Sequence, residues 1–164
     1  YILPAGPLRE KLDSLKKYDI VFLKGESFNT NAEELKSLIK KQNPQIEIFQ
    51  TYYEPSNLIK FRSSDKFLIF SGIGNPDGFR EILELNKINI VKEIIFPDHN
   101  TYNDKDIKKI KDIAKNLDAK IITTEKDYVK LSEKNCLDIN FLEIDLKIKD
   151  EKRLINFIKS KINE

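Results

Sequence analysis

The chain of 164 residues is long enough to bury a core without disulfides or a structural metal. Its 29 basic and 27 acidic residues are interspersed, leaving a formal charge of +2 and no basic footprint of the kind nucleic acid requires. Periodic apolar segments argue against disorder, the lone Cys136 excludes a disulfide framework or a thiolate zinc site, and no run of about 18 apolar residues offers a transmembrane helix.

Tyr1-Ile2-Leu3-Pro4 is not a signal peptide, and a chain without Met that begins at Tyr1 reads as part of something longer, in a reducing cytoplasm. Leu8, Leu12 and Leu15 recur at helical spacing and predict a short helix over 8–17. Ile20 to Leu23 reads as a buried strand. Thr30 with Glu33 matches a capping box, and Leu35, Leu38 and Ile39 supply the inward face of the helix behind it. Residues 46–52 alternate as a half-exposed strand. Leu58 to Phe61 and Phe67 to Phe70, separated by Arg62-Ser63-Ser64-Asp65, predict an antiparallel hairpin.

Asn75 can cap, and Pro76 open, a helix reaching about Asn86. Ile88 to Phe96 reads as a strand, and Asn103 can cap a helix bearing Ile107, Ile110, Ala114 and Leu117. Lys120 to Thr123 and Phe141 to Ile148 are further strands, and a last helix carries Leu154, Ile155, Ile158 and Ile162. Alternating helix and strand predict an α/β fold, with three layers around a mainly parallel sheet plus the hairpin.

Ligands of such sheets collect at the carboxyl ends of strands, where three unusual segments are expected. Gly72-Ile73-Gly74-Asn75-Pro76 is either a tight turn or a backbone that admits an anion at a helix start. Phe96-Pro97-Asp98-His99-Asn100-Thr101-Tyr102 holds the chain's single histidine beside a carboxylate, which suits either proton transfer or an ordinary surface position. Thr123-Thr124-Glu125-Lys126-Asp127 is a helix start in which Thr124 bonds the Asp127 amide, or a segment offering hydroxyls and Lys126 to a polar ligand. Near the start, Pro4-Ala5-Gly6-Pro7-Leu8-Arg9-Glu10 delivers an Arg and a Glu, either solvated or able to grip phosphate. The lysines at 105, 108, 109, 111 and 115 form the wet face of a helix, and Cys136 receives no role.

Taken in order, the segments 3–10, 72–76, 96–99 with Tyr102, and 123–127 resemble the tetraacyldisaccharide 4'-kinase family across residues 1 to about 131. That resemblance implies transfer of the γ-phosphate of ATP, with Mg²⁺, to the 4'-hydroxyl of an acylated glucosamine disaccharide at the cytoplasmic face of the Gram-negative inner membrane. It implies a P-loop domain preceding this chain. Residues 1–18 would then lead in from the interdomain junction, and 19–164 would be the C-terminal α/β domain.

By the same resemblance His99 activates the sugar hydroxyl with an aspartate from the P-loop domain, and Arg9 and Glu10 contact the nucleotide or its metal. No Gly-x-x-x-x-Gly-Lys-Ser/Thr occurs, so the 164 residues are expected to be inactive alone. Many members carry a second histidine after the first; here Asn100 stands in that position, which casts doubt on any role needing two imidazoles. Gly72, Gly74, Asn75, Asp98, Tyr102, Thr124 and Lys126 are expected to line the site or to build its loops. The runner-up is a stand-alone α/β module that binds a phosphorylated sugar or nucleotide, with a small phosphoesterase third.

Overall fold

Lys66-Phe67-Leu68-Ile69-Phe70-Ser71 is apolar on both sides of its pleat, the pattern of a strand covered on both faces. In a computed structural model describing residues 9–25 and 30–162, with the side chains of Thr30 and Asn31 outside that description, this run is the interior strand β3 (Lys66–Ser71). It pairs in parallel with β4 (Asn89–Ile95) on one side and β5 (Lys120–Thr124) on the other. β6 (Ile139–Leu142) extends the sheet to the order β4-β3-β5-β6.

Alternate β3 side chains feed two cores. Phe67 and Ile69 pack with Phe79 and Leu83 of α2 (Pro76–Leu85), while Leu68 and Phe70 pack with Ile107, Ile110 and Ala114 of α3 (Asp104–Asn116). Helix, sheet and helix therefore form the expected three layers within the unit 55–145. The helix starts follow the sequence: Asn75 accepts from the Gly78 N–H, and Pro76 occupies the first turn. Asn103 accepts from the Lys105 and Asp106 N–H groups while Asp106 accepts from the Asn103 N–H, a complete capping box. The short helices α4 (Glu125–Tyr128) and α5 (Glu133–Cys136) join β5 to β6.

The other unit comprises 1–54 and 146–164. Its mixed sheet has the order β1-β2-β7, with β1 (Ile20–Lys24) parallel to β2 (Glu47–Pro55), and β7 spanning Ile144–Ile148. Phe49 is buried between Phe22 and Phe157, the latter from α6 (Glu151–Ile162), at centroid distances of 6.2 and 6.5 Å.

Five expectations change. First, Leu58 to Phe61 is a 3₁₀ turn rather than a hairpin strand, with the Lys60 N–H on Asn57 O and the Phe61 N–H on Leu58 O. Both edges of β3 are taken by parallel partners, so no edge is left for an antiparallel neighbour. Buried Asn57 fixes the turn by donating to Phe141 O at 2.9 Å and accepting from the Glu143 N–H at 3.1 Å. Phe61 then packs edge-on to Phe67 at 5.8 Å and Ile59 is left 96% exposed. Second, the segment from Phe141 to Ile148 is split between β6 and β7, which belong to different sheets. Third, β1 is a half-exposed edge strand because the sheet ends there. Fourth, a three-stranded sheet covers little of a helix: Ile39 of α1 (Thr30–Gln42) is buried while Leu35 and Leu38 stay exposed, and α6 buries only Leu154. Fifth, the predicted helix over 8–17 is a 3₁₀ segment, Leu12–Lys17. Residues 1–8, with most of the Pro-rich motif, lie outside the described residues.

Candidate functional site

The strand order sends the chain away from β3 through α2 on one face and away from β5 through α4 on the other. The carboxyl ends of these neighbours are thus a topological switch point, where doubly wound sheets leave a crevice. The three segments singled out in the sequence meet here. The Phe96 N–H donates to Ser71 O at 2.8 Å, the His99 N–H to Gly72 O at 3.2 Å, and the Gly72 N–H to Asp127 Oδ2 at 2.8 Å.

Asp127 is 0% exposed, and each of its oxygens is engaged. Oδ2 also accepts from Thr124 Oγ1 at 2.8 Å, and Oδ1 accepts from Lys130 Nζ at 2.7 Å. Burial pushes the carboxyl pKa up, but the bonds from Gly72, Lys130 and Thr124, with the Lys130 charge, outweigh it and hold the group below its ordinary value. Thr124 also accepts from the Asp127 N–H at 3.1 Å, the cap expected from sequence. The Asp127 side chain and Lys130 were not anticipated, although residues 124, 127 and 130 share a spacing of three that would stack them on one helical face.

Gly72 is buried where a side chain has no room. A Cβ there would lie 2.8 Å from the Tyr102 hydroxyl, 3.1 Å from Pro97 O and 3.2 Å from Asn100 Cβ. The close backbone approach that this glycine permits is taken by the chain's own 97–102 loop. Tyr102 seals the crevice, edge-on to Phe70 at 5.4 Å and Phe96 at 5.1 Å, with Lys130 Nζ 5.8 Å from its ring centroid. Its hydroxyl and the Asn100 Nδ2 are buried without a hydrogen-bond partner. Burial, reinforced by the Asp127 carboxylate, raises the phenol pKa and keeps Tyr102 neutral.

Above this plug stands His99. Its φ of 60° is left-handed, its side chain is 77% exposed, and its Nε2 lies 3.7 Å from Asp98 Oδ2. Asp98 Oδ1 accepts the His99 backbone N–H at 2.9 Å and lies 3.7 Å from Lys126 Nζ. Gly74 makes room for Asp98, since a Cβ there would come within 3.3 Å of Oδ2. The structure therefore gathers His99, Asp98, Gly74 and Lys126 at the surface, over Gly72, Tyr102 and Thr124. Asn75 is spent on capping α2. Arg9 and Glu10 belong to the other unit, where both are exposed and Glu10 accepts from the Tyr18 hydroxyl. Chemically, the surface cluster offers a solvent-reaching imidazole, a group able to accept a proton, with a carboxylate oxygen 3.7 Å from its Nε2.

Two further features carry less chemistry. Among the described residues no group of three His, Cys, Asp or Glu could hold a metal ion. A groove of about 860 Å³ in the 1–54 and 146–164 unit is lined by Lys36, Lys40 and Arg153, but Lys36 pairs with Glu33 and Arg153 with Glu47.

Comparison with known proteins bears out the family resemblance. The chain is 44% identical to the tetraacyldisaccharide 4'-kinase of Pelagibacter ubique (strain HTCC1062) over 162 residues, covering 99% of this chain and 51% of that protein. It is 33% identical to that of Elusimicrobium minutum (strain Pei191), covering 92% and 44%. A crystal structure of "apo" form LpxK from Aquifex aeolicus in complex with ATP is similar in fold, with a TM-score of 0.62 and 23% identity over 97% of this chain and 47% of that one. The chain thus spans about half the length of the curated relatives it matches. Residues 1–163 match the family described as Tetraacyldisaccharide-1-P 4'-kinase, and the chain belongs to that family.

Proposed function

We propose that this chain is the C-terminal part of a lipid kinase that moves the γ-phosphate of ATP to the 4'-hydroxyl of a tetraacylated glucosamine disaccharide in lipid A synthesis. His99 activates that hydroxyl. The observation that carries the reading is His99 itself, exposed at the carboxyl end of a parallel sheet from a left-handed backbone tied to Gly72 O and to Asp98. Such backbone is uncommon for a residue with a side chain and persists where surrounding structure holds it.

In this reading the imidazole takes the hydroxyl proton as the oxygen bonds the γ-phosphorus, and the bond from that phosphorus to the β–γ bridging oxygen breaks with ADP as the leaving group; Asp98 Oδ2 lies 3.7 Å from the imidazole Nε2. The partner that the resemblance implies for His99 is a carboxylate from the P-loop domain rather than the neighbouring Asp98. The described residues form no metal cluster, and the chain has no P-loop sequence, so Mg²⁺ and most ATP contacts are assigned to that domain. Arg9 and Glu10, in the lead-in segment 1–18, are assigned to the nucleotide side. No helix among the described residues is long and apolar enough to cross a membrane. The family resemblance is what assigns the reaction to the cytoplasmic face of the inner membrane.

Within the complete enzyme, His99→Ala is expected to lower kcat by a factor on the order of 10² or more, with an unchanged melting temperature. Wild-type turnover by the variant would remove His99 from the mechanism.

A further inference from the structure

We propose that Asp127 is a positioning residue for His99: it holds Gly72 by the N–H, and Gly72 holds the His99 backbone by the carbonyl. The inference rests on His99 acting in the transfer reaction. Gly72 is gripped at three points. Its N–H donates to Asp127 Oδ2 at 2.8 Å, its carbonyl accepts the His99 N–H at 3.2 Å, and its Cα lies under the Tyr102 hydroxyl, which a Cβ would meet at 2.8 Å. A shift of the Gly72 peptide therefore passes directly to the residue that presents the imidazole.

A purely structural account leaves the ion pair unexplained. Capping α4 is done by the Thr124 hydroxyl, which accepts the Asp127 N–H at 3.1 Å, and an uncharged residue at 127 would serve that cap equally. A fully buried carboxylate is costly unless several donors converge on it. Here they come from the Thr124 hydroxyl at the end of β5, from Lys130 and, across the switch point, from the first residue after β3. The Asp127 carboxylate, through its bond from the Gly72 N–H, thus ties the end of β5 to the end of β3 at the point where the loop after β4 turns through His99. The same His99 N–H also reaches Asp98 Oδ1 at 2.9 Å, so the amide of this left-handed residue is shared between two acceptors.

The test uses the complete enzyme, with Asp127→Asn and Lys130→Gln made in the wild-type and His99→Ala backgrounds. Folding is followed by circular dichroism, and the His99 amide by histidine-selective ¹⁵N spectra, identified through its loss in His99→Ala. Folded Asp127→Asn is expected to lose at least tenfold in kcat, to keep KM for ATP within twofold, and to displace the His99 amide resonance. Added to His99→Ala it should cost less than a further twofold. Lys130→Gln, which leaves the carboxylate in place, should act in the same direction with a smaller loss, and decides the matter if Asp127→Asn does not fold.

Wild-type kcat in a folded variant, an unmoved His99 amide, or losses that multiply fully in the double variant would each overturn the proposal. If His99→Ala turns over normally, the kinase role of His99 falls and this proposal with it. If His99→Ala is inactive while the folded Asp127 and Lys130 variants behave as wild type, only the positioning role falls.

Discussion

Four described non-glycine residues have positive φ: Lys87, His99, Asp118 and Asp138. Lys87 and Asp118 follow the ends of α2 and α3, where a left-handed residue closes the last turn through the Ile88 N–H on Leu83 O and the Ala119 N–H on Ala114 O, and Asp138 lies in the turn between α5 and β6. His99 has no helix before it, so its strain is held by the site. Gly72 and Tyr102 supply the matching steric test. Gly72→Ala is expected to destabilise the fold by about 1–3 kcal/mol, because its Cβ meets the Tyr102 hydroxyl and Pro97 O. Tyr102→Phe removes a buried hydroxyl without a partner and should fall within about 1 kcal/mol of neutral. It should also recover part of the Gly72→Ala loss in a double-mutant cycle followed by chemical denaturation, since one of the blocking atoms is gone.

At the scale of elements, caps and periodicity were legible because their causes are local. Asn103 at the start of α3, Asn75 with Pro76 and Thr124 with the Asp127 amide all act within one helical turn. Asn103→Ala is expected to cost about 0.5–2 kcal/mol, read from urea unfolding, because α3 then loses the acceptor for two amides. The error at Leu58 to Phe61 has a different origin. The alternation there resembles a strand, but Asn57 is clamped to Phe141 and Glu143, more than eighty residues along the chain, and nothing in the local pattern announces that clamp.

At the scale of the molecule, acid should find Asp127. Its folded pKa lies below the unfolded value of about 3.9, so it contributes stability above that pH and loses it as pH falls through the folded value. Glu143, held low chiefly by its hydrogen bond from Lys60, acts in the same direction. The diagnostic is therefore a difference: unfolding free energy should fall more steeply below pH 4 in wild type than in Asp127→Asn. Equal slopes would mean that Asp127 titrates alike in both states. The 164 residues alone are expected to transfer no phosphate from ATP, because they contain no P-loop sequence. ATP-dependent product formed by the purified chain would refute that assignment.

By itself the sequence determined what short-range chemistry controls: helix starts, the placing of three motifs at strand ends, and a motif order that resembles one kinase family. The tertiary structure decided the rest. Strands divided into two sheets, Gly72 met Tyr102 rather than open space, and Asp127 reached Gly72 across fifty-five positions of sequence. The reason is physical. Capping and amphipathicity act over three or four residues and leave a periodic trace, whereas a buried carboxylate chooses its donors only after β3 and β5 lie side by side.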